Sequence, residues 1–138
     1  VETFSNLNSF FQEVFEDLNC REDTKAYITS VFAKYKTSHF DFSKDSITLV
    51  YANAKQNSDF YTFQNIADWL FFARSFVPEH LSFASTEYYQ SIGRLSYYSC
   101  YQLTRRQLSF YENLADDFVK LELETRKILT NQHSFVYI

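Results

Sequence analysis

From Phe4 to Leu18 the apolar side chains stand at Phe4, Leu7, Phe11, Val14, Phe15 and Leu18, with asparagine, glutamate and aspartate between them. Steps of three and four place these on one face, so the spacing predicts an amphipathic helix over 4–18. NCREDT (19–24) reads as a turn whose Asp23 or Thr24 caps a second helix. That helix runs to Lys36 and buries Tyr27, Ile28, Val31, Phe32 and Tyr35. TSHFDFSKDS (37–46) is the most loop-like stretch. A shorter helix is predicted at 46–56; the β-branched residues of SITLVYA also suit a strand, and the helical surroundings decide for helix.

Residues 60–77 break the amphipathic pattern. At about 100° per residue, Phe60, Phe63, Ile66, Ala67, Trp69, Leu70, Phe71, Phe72, Ala73, Phe76 and Val77 cover most of the circumference, and Gln64, Asp68 and Ser75 share one narrow stripe. A membrane span is excluded, because Asp68 would lie near its centre with Gln64, Asn65 and Arg74 beside it. The remaining reading is an almost fully buried central helix, wrapped by other helices and ended by Pro78. Asp68 is then a carboxylate on the polar slit, or one held by a tyrosine or by Arg74. Asp68, Gln64 and Arg74 are the candidates for a polar network or a ligand contact.

Beyond Pro78, PEHLSFAS is a connector, and Ser85 is the N-cap of a fifth helix reaching Leu103, with Glu87 in its first turn. One face of it, Tyr88, Ile92, Leu95, Ser99 and Leu103, is assigned to the core. Tyr97, Tyr98 and Tyr101, with Arg94, are expected on the opposite face, which is either surrounded within the monomer or a protein interface, since tyrosine offers rigid area and a water-tolerant hydroxyl. Gly93, the only glycine, falls mid-helix at a cost of about 1 kcal/mol against alanine. A tight crossing there, within one chain or between two, accounts for it. A last helix is predicted over 105–130, with Leu108, Tyr111, Leu114, Ala115, Phe118, Leu121, Thr125 and Ile128 on one stripe and Glu122 paired with Arg126. The tail NQHSFVYI ends in four apolar residues and is expected to dock.

A chain of 138 residues with one glycine and one proline fits a single helical domain, 1–138, in an all-α fold of five or six helices. A net charge of −4, with no basic run longer than Arg105-Arg106, argues against nucleic acid as a partner. Cys20 and Cys100 stand alone, which suits a reducing cytoplasm better than a disulfide framework. No secretory signal pattern is present, although the chain starts at Val1 and an initiator or leader can precede it.

Catalytic patterns are missing: no G-x-S-x-G elbow, no glycine-rich phosphate loop, no H-E-x-x-H. His39, His80 and His133 fall in expected loops or the tail, and Glu79-His80 has no partner ligands at metal-site spacing, so no metal or cofactor is expected. The acidic pairs Glu112/Asp116 and Glu13/Asp17 read as solvated surface.

ADWLFFARSFVPEHL, STEYYQSIGRLSYY and ENLADDFVKL together resemble a family of uncharacterised bacterial proteins. Its pattern is a Gly-Asp before an aromatic helix, Phe-Pro, Tyr-Tyr followed by Met-Gly and Ala-Tyr, and a Leu-Ala-x-x-Phe helix. The matching positions are Asp68, Pro78, Tyr88, Tyr89, Gly93, Tyr97, Leu114, Ala115 and Phe118; Ala67 and Ser75 stand where glycine belongs, and Ile92 replaces methionine. The resemblance implies a soluble bacterial helical domain and carries no activity. The expected function is therefore a non-enzymatic interaction module, self-associating or part of a larger assembly through the tyrosine face. The alternative is a carrier or sensor of a small apolar ligand in an aromatic cavity along the central helix.

Overall fold

The computed structural model describes residues 2–37 and 47–131, with side chains from 6 to 36 and from 47 to 131. The expectations for the loop at 38–46, for the docking tail, and for His39 and His133 lie outside the described residues. Among the described residues seven α-helices follow one another: α1 (Glu2–Val14), α2 (Glu22–Thr37), α3 (Ile47–Asn57), α4 (Phe60–Phe76), α5 (Thr86–Leu103), α6 (Ser109–Asp116) and α7 (Phe118–Thr130), with a 3₁₀ turn at Pro78–His80. Among the described residues there is no strand. The fold is all-α as the sequence predicts, and the stretch at 47–57 is helix despite its β-branched start.

The count differs from the expected five or six because the predicted helix over 105–130 is two. The chain bends at Asp117 (φ −105°, ψ 18°), and a side-chain bond from Asn113 Nδ2 to Asp117 Oδ2 (2.9 Å) spans the break. Before α6, Arg105 (φ 56°) and Arg106 (φ 60°) form a left-handed turn, so no helix starts at 105. Leu108, placed on the stripe, is exposed there. Of the rest of the stripe, Tyr111, Leu114, Ala115, Phe118, Leu121 and Thr125 are buried and Ile128 is half-buried, and the stripe runs through the bend. Nor is α2 capped by Asp23 or Thr24, since both lie inside a helix that begins at Glu22.

α4 packs against α2, α3, α5 and α7. Asp59 opens it, its carboxylate accepting from the Thr62 backbone N–H (3.3 Å) and hydroxyl (2.7 Å). It ends at Phe76, because Pro78 cannot continue the ladder. Burial is continuous from Ile66 to Ser75 but not along the whole length: Phe60, Thr62, Gln64 and Asn65 are half-buried and Tyr61 is 73% exposed. The expected near-total burial therefore holds for the last two-thirds of the helix, where its rings interlock with their neighbours. Phe71 meets Phe118 edge-on with centroids 5.5 Å apart, and Phe72 meets Phe32 at 5.1 Å and Tyr35 at 5.8 Å. Each such ring stabilises the fold by about 2–3 kcal/mol through burial alone.

Candidate functional site

Two buried polar clusters hang on α4. The first is centred on Asp68, which is 4% exposed. Tyr27 of α2 donates its hydroxyl to Oδ1 at 2.8 Å and shares it with Oδ2 at 3.0 Å; Tyr97 of α5 donates to Oδ1 at 2.8 Å. Tyr111 of α6 meets the Tyr27 ring edge-on with centroids 5.4 Å apart and accepts from Gln64 Nε2 at 2.8 Å. Thus one carboxylate ties together α2, α4 and α5, with α6 joined through the tyrosines.

Among the described residues no cation is in contact with the charge on Asp68. Burial raises its pKa from 3.8 to about 7, against the lowering effect of the Tyr27 and Tyr97 hydroxyls and of more distant Lys34. Burial and the negative carboxylate push the hydroxyls of Tyr27 and Tyr97 the same way, well above the ordinary tyrosine range, so both remain donors. The Cys100 thiol is likewise raised by burial and by Asp68, which keeps it protonated. Asp68 is not sealed off, however. An open groove of about 280 Å³, lined by Tyr27, Ser30, Val31, Lys34, Gln64 and Asp68, runs between α2 and α4.

Arg74 belongs to the second cluster and does not reach Asp68. Its Nε and Nη2 donate to Glu122 Oε1 (3.1 Å) and Oε2 (3.0 Å), a two-pronged pair with the carboxylate fully buried. Gln90 Nε2 (3.1 Å) and Arg126 Nη2 (3.2 Å) also donate to Glu122 Oε2, and Arg126 Nη2 donates to the Arg74 carbonyl at 2.6 Å. The predicted Glu122–Arg126 pair is therefore part of a network between α4, α5 and α7 whose carboxylate is buried. Glu122 is held by three donor side chains, although Arg126 Nε is buried without a partner among the described residues, and the arrangement suits stability rather than chemistry.

The interface candidates divide. Tyr97 is fully buried on Asp68 and Gly93 is buried, whereas Tyr98 and Arg94 are exposed and Tyr101 is half-buried beside Tyr98 (centroids 6.2 Å apart). The buried face of α5 is Tyr89, Ile92, Gly93, Ser96, Tyr97 and Cys100, while Leu95 and Leu103, assigned to the core from their hydrophobicity, are 49% and 39% exposed. The phase of the helix is set by volume: small residues let α5 lie close to α4 and α7. Gly93 shows it directly, since a Cβ there would stand 2.6 Å from Phe118 Cζ and 2.7 Å from Cε2. The tight approach at Gly93 thus lies within one chain, and a phenyl ring occupies the space of the missing methyl.

Four positions that carry the family resemblance, Asp68, Gly93, Tyr97 and Phe118, sit in this one region, with the Tyr97 and Phe118 rings 6.1 Å apart. The sequence names Asp68 and Gln64 and offers a tyrosine or Arg74 as the partner of Asp68; the partners are tyrosines, Tyr27 and Tyr97, with Tyr111 on Gln64, none of which the sequence singles out for this role. The available signal was that a tyrosine on a buried helix face needs an acceptor for its hydroxyl. Glu79 and His80 are exposed, and no group of three metal-ligating side chains converges among the described residues. No described helix is long and apolar enough to cross a membrane. No protein-family model, curated protein or solved structure matches the chain.

Proposed function

We propose that the chain is a non-enzymatic protein-interaction module, built around α4 as its buried hub, that binds its partner through the outer face of α5. The partner is a second copy of the chain or a subunit of a larger assembly in a reducing cytoplasm, where the free thiols Cys20 and Cys100 persist. The observation that carries this is the exposure of large apolar side chains on one helix: Leu95 (49%), Tyr98 (38%) and, at the edge, Leu103. Ser91, Leu95, Tyr98 and Gln102 share a stripe about 60° wide. Beside it runs an open groove of about 260 Å³ between α5 and α6, lined by Ser91, Arg94, Leu95, Tyr98, Ala115 and Asp116. Arg94 Nε is anchored on the Ala115 carbonyl (3.2 Å), which fixes its guanidinium beside the stripe as arginine is fixed at many interfaces.

Support for an apolar-ligand carrier is weaker, because the rings of α4 that would line its cavity are packed on Phe32, Tyr35 and Phe118. Light scattering coupled to size exclusion, on wild type and on Leu95→Glu/Tyr98→Ala, tests self-association; a dimer that becomes a folded monomer supports the reading. If wild type is monomeric, a photo-crosslinking amino acid at position 95 in the native host, compared with one at exposed Gln56, tests a hetero-partner. A monomer that forms no adduct specific to position 95 refutes the assignment.

A further inference from the structure

We infer that the occupant of the α5 face is a second copy of the chain, packed antiparallel about a two-fold axis between Arg94 and Leu95, with Arg94 of each copy paired to the partner's Asp116. The inference rests on the interaction reading above and narrows it to one partner and one register. The surface beside α5 carries two opposite charges that do not use each other. Arg94 and Asp116, both exposed, line the same groove with Ser91, Leu95, Tyr98 and Ala115. Arg94 spends Nε on the Ala115 carbonyl (3.2 Å). Among the described residues neither its Nη groups nor the Asp116 carboxylate has an ion-pair or hydrogen-bond partner. A patch that bears its own counter-charge is matched by a copy of itself, which is the condition for a two-fold contact.

The course of α6 fixes which arrangement brings the charges together. It runs back along α5, with Ala115 at Arg94 and the Tyr111 ring 6.2 Å from that of Tyr97. Asp116 therefore stands level with Arg94, at the axis, where an antiparallel copy brings its own Arg94. That rotation keeps both α6 helices on one side of the contact, groove against groove. A parallel pair puts them on opposite sides and parts the charges. In the same register Ser91 faces the partner's Tyr98, a small residue opposite a ring, and the two Leu95 side chains meet beside the axis. Leu95 and Tyr98 are the apolar area that α5 leaves in water, and this contact covers both. The charge pairs at its rim set the register more than they add affinity.

The test is a charge swap between two chains, read by sedimentation velocity from about 10 μM to about 1 mM protein in about 0.15 M salt. Wild type should dimerise with a Kd of about 1–100 μM. Arg94→Glu alone and Asp116→Arg alone each set like charges at both pairs and should dimerise about tenfold more weakly or not at all. In an equimolar mixture of the two variants both pairs regain opposite charges. The mixture should return to within about threefold of wild type, and native mass spectrometry with one chain ¹⁵N-labelled should find mixed dimers in excess of like ones. Asp116→Arg mixed with wild type keeps one pair of two and should fall between, a comparison that does not depend on the folding of Arg94→Glu. The inference is overturned if wild type is monomeric throughout, if the single variants dimerise as tightly as wild type, or if the mixture is no tighter than its components. Should Leu95→Glu/Tyr98→Ala dissociate a dimer that the charge variants leave intact, the interaction reading stands and the Arg94–Asp116 pairing falls. A monomeric wild type that crosslinks specifically at position 95 likewise removes the second copy and keeps the face.

Discussion

Replacing Asp68 with asparagine should make the protein more stable at alkaline pH and remove a pH dependence that runs opposite to ordinary acid denaturation. The carboxylate titrates at 3.8 when unfolded and at about 7 when buried, so between those values the folded chain holds a proton that the unfolded chain has released. Stability from this group is fully present below pH 3.8, and it is lost as pH rises through about 7. At about 1.36 kcal/mol per pH unit the whole effect is about 4 kcal/mol, of which about 2–3 kcal/mol falls between pH 5 and pH 8. The groups facing Asp68 are Tyr27, Lys34 and Tyr35 from α2, Tyr97 and Cys100 from α5 and Tyr111 from α6. None has an ordinary pKa in that window, and the burial shifts on the tyrosines and the thiol carry them further above it. Asparagine keeps an acceptor for both hydroxyls and carries no charge. The measurement is urea denaturation at several pH values, followed by the fluorescence of Trp69, the single tryptophan, which is buried on α4. Subtracting the variant from wild type cancels the histidines. The difference should fall by about 2–3 kcal/mol from pH 5 to pH 8. A flat difference, or wild type gaining on the variant as pH rises, would mean that the two hydroxyls and Lys34 outweigh burial, and the reasoning would be wrong.

Gly93→Ala should destabilise by about 1–2 kcal/mol, because overpacking Phe118 outweighs the helix propensity gained, and the oligomeric state should not change. Combining it with Phe118→Leu should give a favourable coupling of about 0.5 kcal/mol or more in a double-mutant cycle; additivity would refute the contact. Glu122→Ala leaves the Arg74 guanidinium buried without its carboxylate and should cost about 3–5 kcal/mol in denaturant titrations, whereas Arg74→Met/Glu122→Leu should come within about 2 kcal/mol of wild type. Ser85→Ala removes the side-chain acceptor for the Tyr88 N–H and should cost about 1 kcal/mol, read as a lower midpoint at unchanged slope.

Apolar periodicity was enough to find nearly every helix, because most of the described positions it picks out in the first two helices and along α6 and α7 are buried, Leu108 excepted and Tyr27 and Ile128 half-buried. It failed where volume rather than hydrophobicity decides. On α5 the side that faces inward carries glycine, serine and cysteine, and a reading that counts apolar residues turns the helix the wrong way, sending Tyr97 outward and Leu95 inward. The lone glycine at position 93 was the correcting signal: it had to face whatever came closest, and Tyr97, one turn later, lies on the same side. The break at Asp117 and the left-handed pair Arg105-Arg106 left no trace, since neither residue type marks such backbone.

The same limit explains what was legible in the candidate site. A charged residue in an otherwise apolar helix identifies itself, so Asp68 and Arg74 could be named at once; which partner each takes is a property of the packing. Asp68 receives hydroxyls alone, while Arg74 and Glu122, 48 residues apart, neutralise each other. One cluster has its charge matched within the chain and is closed by Gln90 and Arg126. The other is a carboxylate that no cation among the described residues contacts, and burial outweighs its two hydroxyl donors and the more distant Lys34 to raise its pKa to about 7. The difference between two carboxylates buried in one small core is therefore one of partners: guanidinium groups hold Glu122 and neutral hydroxyls hold Asp68, which is why the proton equilibrium of Asp68 is the one that burial moves.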